Sequence, residues 1–113
     1  MTRMPLLLAA CAAVIVPVQA EAQTDPGPPF GQDLYLACTG QDPRCSEYLL
    51  GVWDGMVLAG EIQQRPLFCA SAGVSGAQLS GIFVKWARDN PARLSQLRGV
   101  DVMLALVAAF PCT

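Results

Sequence analysis

Beyond residue 30, apolar side chains recur at three- and four-residue steps, and no stretch shows the strict alternation of a half-buried strand. The clearest run goes from about Cys45 to Gln63. There Tyr48, Leu49, Val52, Trp53, Met56, Val57 and Gly60 fall on one helical face. A shorter helix over 31–38 precedes it, with Leu34, Tyr35 and Cys38 on one side. Arg65-Pro66 ends the long helix, because the residue before a proline disfavours the α region. Leu67-Phe68-Cys69 then skirts the core, and residues 70–74 form a loop of small side chains. Ser75 with Gln78 is a capping box that starts a third helix at Gly76. Its inward stripe is Leu79, Ile82, Phe83 and Trp86, with Lys85 and Asp89 paired at four-residue spacing on the wet side. Asn90-Pro91 predicts a helix start, with Asn90 as N-cap and Pro91 at the first position. The last helix is expected from Pro91 to about Phe110, turning Leu94, Leu97, Val100, Leu104 and Val107 inward before Pro111. The predicted fold is all-α: a small bundle of three main helices plus a short first one, in one domain over 31–113.

Gly51, Gly55 and Gly60 lower the helix propensity of the long segment by up to about 1 kcal/mol each relative to alanine. They mark either a close helix–helix approach or a loosened helix.

The chain opens with a different pattern. Arg3 precedes an apolar stretch from Leu6 to Val16, and small residues stand at cleavage-site positions around Ala20 and Ala22. Residues 1–22 are read as a cleavable export signal, cut after Ala22. The stretch stops at Pro17, short of the roughly 20 apolar residues that span a bilayer. The alternative is lipoprotein processing at Leu8-Ala9-Ala10-Cys11, with Cys11 acylated. Residues 23–30, rich in proline, are expected to form an extended arm. The mature chain of about 90 residues buries a modest core and benefits from cross-links.

Four cysteines remain after the signal: Cys38, Cys45, Cys69 and Cys112. An even number in an exported chain implies two disulfides. Three connectivities are open. The favoured pairs are Cys38–Cys45, clamping the turn between the first two helices, and Cys69–Cys112, tying the C-terminus to mid-chain. The spacing contains no C-x-x-C and the chain has no histidine, so neither a metal site nor a redox pair is expected.

Composition removes further classes. Seven Lys and Arg stand against nine Asp and Glu, a net charge of −2 with no basic stripe, so nucleic acid is a poor partner. Without histidine there is no Ser-His or Cys-His pair, and no cofactor motif is present. No catalytic residue is assigned. Asp54 reads as a solvated acid, Asp101 as a partner for Arg98 or Arg93 or a solvent-facing acid, and Trp53 and Trp86 as core. Exposed contact points are expected at Asp42 and Arg44 in the turn before the long helix, and at Ser71 and Val74 in the small-residue loop.

The helix Cys45-Ser46-Glu47-Tyr48-Leu49-Leu50-Gly51-Val52 with Asp54 resembles a helix of the Tai/Rap-type immunity proteins. So do Phe68-Cys69 followed by Gly73-Val74-Ser75 and Gln78-Leu79, then Asn90-Pro91, Ala105-Leu106 and Ala109-Phe110-Pro111-Cys112. The chain departs at Ala70 and Ser71, where the family carries a proline-containing step, and at Arg93 and Leu94, near which many members carry a histidine. The resemblance, over about residues 31–112, implies a non-catalytic periplasmic protein. It would bind a type VI secretion peptidoglycan amidase effector, occlude its active site, and often form a homodimer. A different class stays open: an acid-stress chaperone like HdeA, or an envelope protein of the same fold.

Overall fold

The computed structural model describes residues 2, 10, 12–17, 29–70 and 73–113. The export-signal cleavage positions, Cys11 and Ser71 lie outside the described residues. Four α-helices form the bundle: α1 Gly31–Thr39, α2 Pro43–Gln63, α3 Gly76–Asp89 and α4 Arg98–Ala109. A single 3₁₀ turn, Pro91–Arg93, lies between α3 and α4. Among the described residues there is no strand, only an isolated antiparallel bridge between Phe30 and Leu97. The all-α expectation holds.

Local signals place two of the helix starts. Asp42 caps α2, its carboxylate accepting from the Arg44 N–H at 3.0 Å, with Pro43 at the first helical position. The helix therefore begins two residues before Cys45. Ser75 and Gln78 complete the capping box of α3: the Gln78 N–H donates to Ser75 Oγ at 3.2 Å, and the Ser75 N–H to Gln78 Oε1 at 2.8 Å. The start of α1 has no side-chain cap. Its first donors find backbone acceptors far along the chain instead. The Gly31 N–H donates to the Gln96 carbonyl and the Gln32 N–H to the Leu94 carbonyl, both at 2.9 Å.

That docking overturns the expected last helix. A helix running from Pro91 to Phe110 would need the Leu94 and Gln96 carbonyls for its own Arg98 and Val100 N–H groups. Both carbonyls are taken by α1. The Arg98 N–H turns instead to the Pro29 carbonyl at 2.7 Å, and Leu97 is extended, with ψ 132°. The chain therefore makes one 3₁₀ turn, turns again through residues 94–96 beside α1, and restarts as a helix at Arg98. Asn90 does not cap the turn after it; its side-chain amide donates back to the Trp86 carbonyl at 2.9 Å, at the end of α3.

Restarting the helix changes its phase. Asp101, Val102, Ala105 and Leu106 are buried in α4, while the expected inward residues Leu97, Val100 and Val107 are exposed; Leu94 stays buried and Leu104 is half-buried. Elsewhere the stripes largely fall as expected. Leu34 and Cys38 of α1, Leu49 and Met56 of α2, and Leu79, Phe83 and Ala87 of α3 build the core with Val102, Ala105 and Leu106. Ile82 and Trp86 are half-buried, and Val57 is exposed. The α3 helix sits centrally, against α1, α2 and α4. Phe83 and Leu79 of α3, Leu49 of α2 and Val102 of α4 are the largest fully enclosed apolar side chains; burying each stabilises by roughly 1.5–3 kcal/mol.

Of the three α2 glycines, only Gly60 meets a close neighbour. A Cβ there would lie 3.2 Å from the Arg65 carbonyl oxygen and 3.3 Å from Pro66 Cα, where the chain folds back over the helix end. Gly51 and Gly55 face open space.

Gly31 is the other glycine the fold requires. A Cβ at this position would collide with the Asp101 carboxylate and come within 3.3 Å of Leu94 Cα. Asp101 is fully buried; one oxygen accepts from the Gln96 amide at 3.2 Å, and the other has no hydrogen-bond partner. Burial pushes its carboxyl above the ordinary range, against the opposing pull of the Arg93 charge and the Gln96 hydrogen bond. Its carboxylate sits beside the first turn of α1, where the helix dipole favours negative charge. Because its folded value is raised, Asp101 contributes stability that is present below the ordinary carboxyl value of 3.8 and is lost as pH rises through the folded value. Asp101→Asn is expected to remove this pH dependence. Urea unfolding of both proteins from pH 7 down to pH 4 checks it: the stability of wild type should rise relative to the variant on acidification, and a constant difference contradicts the assignment. Gly31→Ala is expected to cost about 1–3 kcal/mol by overpacking, measured in the same denaturation.

Candidate interaction surface

The least regular part of the bundle is the reversal between α2 and α3. Gln64 closes α2 in the left-handed conformation, with φ 54°, and the Arg65 N–H returns to the Gly60 carbonyl at 2.9 Å. Pro66 then forces the chain away from the helix. Phe68 drops into the core edge against Trp53, ring centroids 4.5 Å apart, and Phe110 closes the cluster at 5.7 Å from Trp53. The Cys69 N–H donates to the Phe110 carbonyl at 2.8 Å, and Cys69 is bonded to Cys112 with Cα atoms 5.0 Å apart. The C-terminus is thus fastened to the reversal by one covalent bond, one hydrogen bond and one aromatic cluster.

Two depressions flank this fastened corner, and both include Ala70. One, of about 570 Å³, lies between the end of α2 and the reversal, with Trp53, Met56 and Phe68 below and Glu61 and Arg65 at its edge. The other, of about 560 Å³, lies between the reversal and α3, lined by Val74, Ile82, Lys85 and Phe110 among others. Both have apolar floors with charged edges, the form of a surface that receives a protein side chain.

The second disulfide, Cys38–Cys45, clamps the turn between α1 and α2, with Cα atoms again 5.0 Å apart. Its two cysteines are buried, and Cys45 Sγ lies 3.4 Å from Ser80 Oγ of α3. Cys69 and Cys112 are exposed.

Of the expected contact residues, Asp42 and Arg44 satisfy each other. Arg44 Nη2 lies 2.7 Å from Asp42 Oδ2, and its Nε donates to the same carboxylate. The Arg44 guanidinium holds the Asp42 carboxyl below the ordinary range, and the carboxylate raises Arg44 in turn. This pair lies in the open and stabilises little. Val74 is half-buried and packs on the core. Asp42 and Val74 line different depressions, which share Gly81 of α3. The structure therefore does not bring these contact candidates into one site.

Sequence reasoning did not anticipate the aromatic corner. Part of its signal was present: Phe68 and Phe110 flank the two cysteines that join. Trp53 is half-buried and walls the groove, and Trp86 stacks on Phe83 at 6.4 Å. Among the described residues, no group of three or more Cys, Asp or Glu side chains converges as metal ligands would. No helix of the described residues is long and apolar enough to cross a membrane.

A family model described as Rap1a immunity proteins matches residues 30–112. No curated protein and no solved structure matches the chain.

Exposure and loop length rank the two disulfides. Closing the loop of sequence separation 43 stabilises by about 4 kcal/mol on the chain-entropy model, against about 2.5 kcal/mol for the loop of separation 7. Mild reductant is expected to open exposed Cys69–Cys112 before buried Cys38–Cys45. Mass spectrometry of alkylated cysteines during a dithiothreitol titration checks the order. Cys69→Ser with Cys112→Ser should lower stability by about 4 kcal/mol in urea.

Proposed function

The chain belongs to the Rap1a immunity protein family, and on that premise we propose that it is a periplasmic protein that neutralises a peptidoglycan amidase effector of type VI secretion. The observation that carries this reading is the family match over 30–112, which spans all four helices. Members of the family act by binding and not by catalysis. The two disulfides support an oxidising compartment. The export signal over 1–22 belongs to the same proposal.

The mechanism follows from stiffness. Cys38–Cys45 staples the end of α1 to the start of α2, and Cys69–Cys112 ties the reversal to the chain after α4, so the contact surface is ordered before the partner arrives. Little conformational entropy is lost on binding, and the contacts are retained as affinity. We assign occlusion of the effector's active site to the corner around Ala70, where a cross-linked loop stands between two apolar depressions. Val74 belongs to that corner. Asp42 and Arg44, paired with each other, lie apart from it, with Asp42 beside a different depression.

The acid-chaperone alternative requires the fold to loosen as carboxylates protonate. The buried acid runs the other way: protonating Asp101 removes a charge from the interior and favours the native state.

The purified, oxidised mature chain is expected to capture a co-encoded secreted amidase and to abolish its hydrolysis of peptidoglycan. Affinity capture from periplasmic and secreted fractions, followed by an amidase assay on the bound protein, tests this. A bound amidase that remains fully active contradicts occlusion, and failure to capture any amidase contradicts the immunity reading.

A further inference from the structure

The longest helix buries little of itself. Of the 21 residues of α2, only Cys45, Leu49, Met56 and Gly60 are buried. On the opposite side Leu58 is 60 % and Ile62 75 % exposed, and Leu50 and Val57 are exposed beside them. Gly51 and Gly55 lie on this same face with nothing within 4 Å of an added Cβ, so the apolar row is level and open. An apolar helix face of this kind on a small protein calls for a partner.

Its charge selects which partner. Glu47, Asp54 and Glu61 recur every seven residues, which sets them in one row along this face at about 10 Å intervals. All three are exposed, none is ion-paired among the described residues, and α2 carries no Lys or Arg after Arg44. A second copy does not fit. A two-fold contact centred here would set the acidic row against itself. The N-terminal arm does not fit either, since residues 23–30 carry an acid and no base. An anionic membrane surface would be repelled.

We infer that the outward face of α2 docks a cationic protein surface, one whose Lys or Arg side chains stand beside apolar ones. Resting on the immunity reading, this deepens it by naming the chemistry of the partner. An enzyme that grips an anionic polymer presents such a surface, and the acidic helix would compete for it. Val57 and Glu61 also edge the groove at the fastened corner, so the face and the corner are continuous.

The probe is a synthetic lysine–leucine amphipathic peptide with one lysine every two helical turns, labelled for fluorescence anisotropy. Wild type should bind it with an affinity that falls as salt rises. Replacing Glu47→Gln, Asp54→Asn and Glu61→Gln together should weaken binding roughly tenfold. Leu58→Ser with Ile62→Ser should weaken it as well. A control with the same change in net charge, Thr39→Lys, Ala92→Lys and Ala108→Lys on other surfaces, should bind as wild type does. Circular dichroism establishes that each variant is folded. Equal loss in the control, or no loss in the α2 variants, overturns the inference. So does sedimentation showing a wild-type dimer that the α2 variants dissociate. A captured amidase inhibited equally by wild type and the α2 variants overturns this inference and leaves the immunity reading standing. Peptide binding that tracks the α2 face with no amidase captured does the reverse.

Discussion

The fold depends on a pair of backbone hydrogen bonds that no side chain announces. Helix α1 starts without a cap, and its first N–H groups are satisfied by the carbonyls of Leu94 and Gln96. An unsatisfied buried donor costs about 1–3 kcal/mol, so these partners bear on whether α1 forms at all. The same bonds withdraw those carbonyls from any helix through residues 94–98. One contact thus starts the first helix, interrupts the last, and joins the two ends of the domain.

The consequences reach the core and the surface together. With α4 restarted at Arg98, Asp101 turns into the interior and Val100, Met103 and Val107 turn outward. Asp101 fills the space that a Cβ at position 31 would occupy, which couples glycine at one end of the domain to a carboxylate at the other. A buried acid with a free oxygen is a weak source of stability. Nearby, Arg98 stacks on the Tyr48 ring at 4.4 Å and holds the restarted helix against α2. The disulfides add covalent ties to this small core, one across the turn between α1 and α2 and one from the α2–α3 reversal to the chain after α4.

Where structure followed from local chemistry, the sequence was legible. The Ser75–Gln78 capping box places α3 to the residue, because both partners lie within one turn. The stripes of α1 and α3 and the buried Leu49 and Met56 of α2 follow from the helical period. The end of α2 at Arg65-Pro66 follows from proline sterics. What was illegible is non-local. Asn90-Pro91 is a sound helix start, and the periodicity from Leu94 to Val107 is real, but both lose to a competitor some sixty residues earlier that uses only backbone atoms. The exposure of Val57 has a related cause: periodicity shows where an apolar row lies, not whether a neighbouring element covers it. The corner around Ala70 was half legible, since the cysteines were visible while the convergence of Trp53, Phe68 and Phe110 needed the disulfide to bring them together.

These two kinds of position divide the work of the molecule. Leu49, Phe83, Leu79 and Val102 are enclosed on all sides, and changing them costs stability before it alters binding. Glu47, Asp54, Leu58, Glu61 and Ile62 on the outward face of α2 are exposed, so substitutions there leave the bundle intact and act on the partner. A binding protein built this way keeps its fold in the interior and its discrimination on faces free of packing constraint. Discrimination is a difference of affinities, and a row of unpaired carboxylates contributes to it in both directions. It attracts a cationic surface and penalises an acidic one at close range. The rigid, cross-linked bundle makes that penalty effective, because the helix cannot yield to relieve a mismatch.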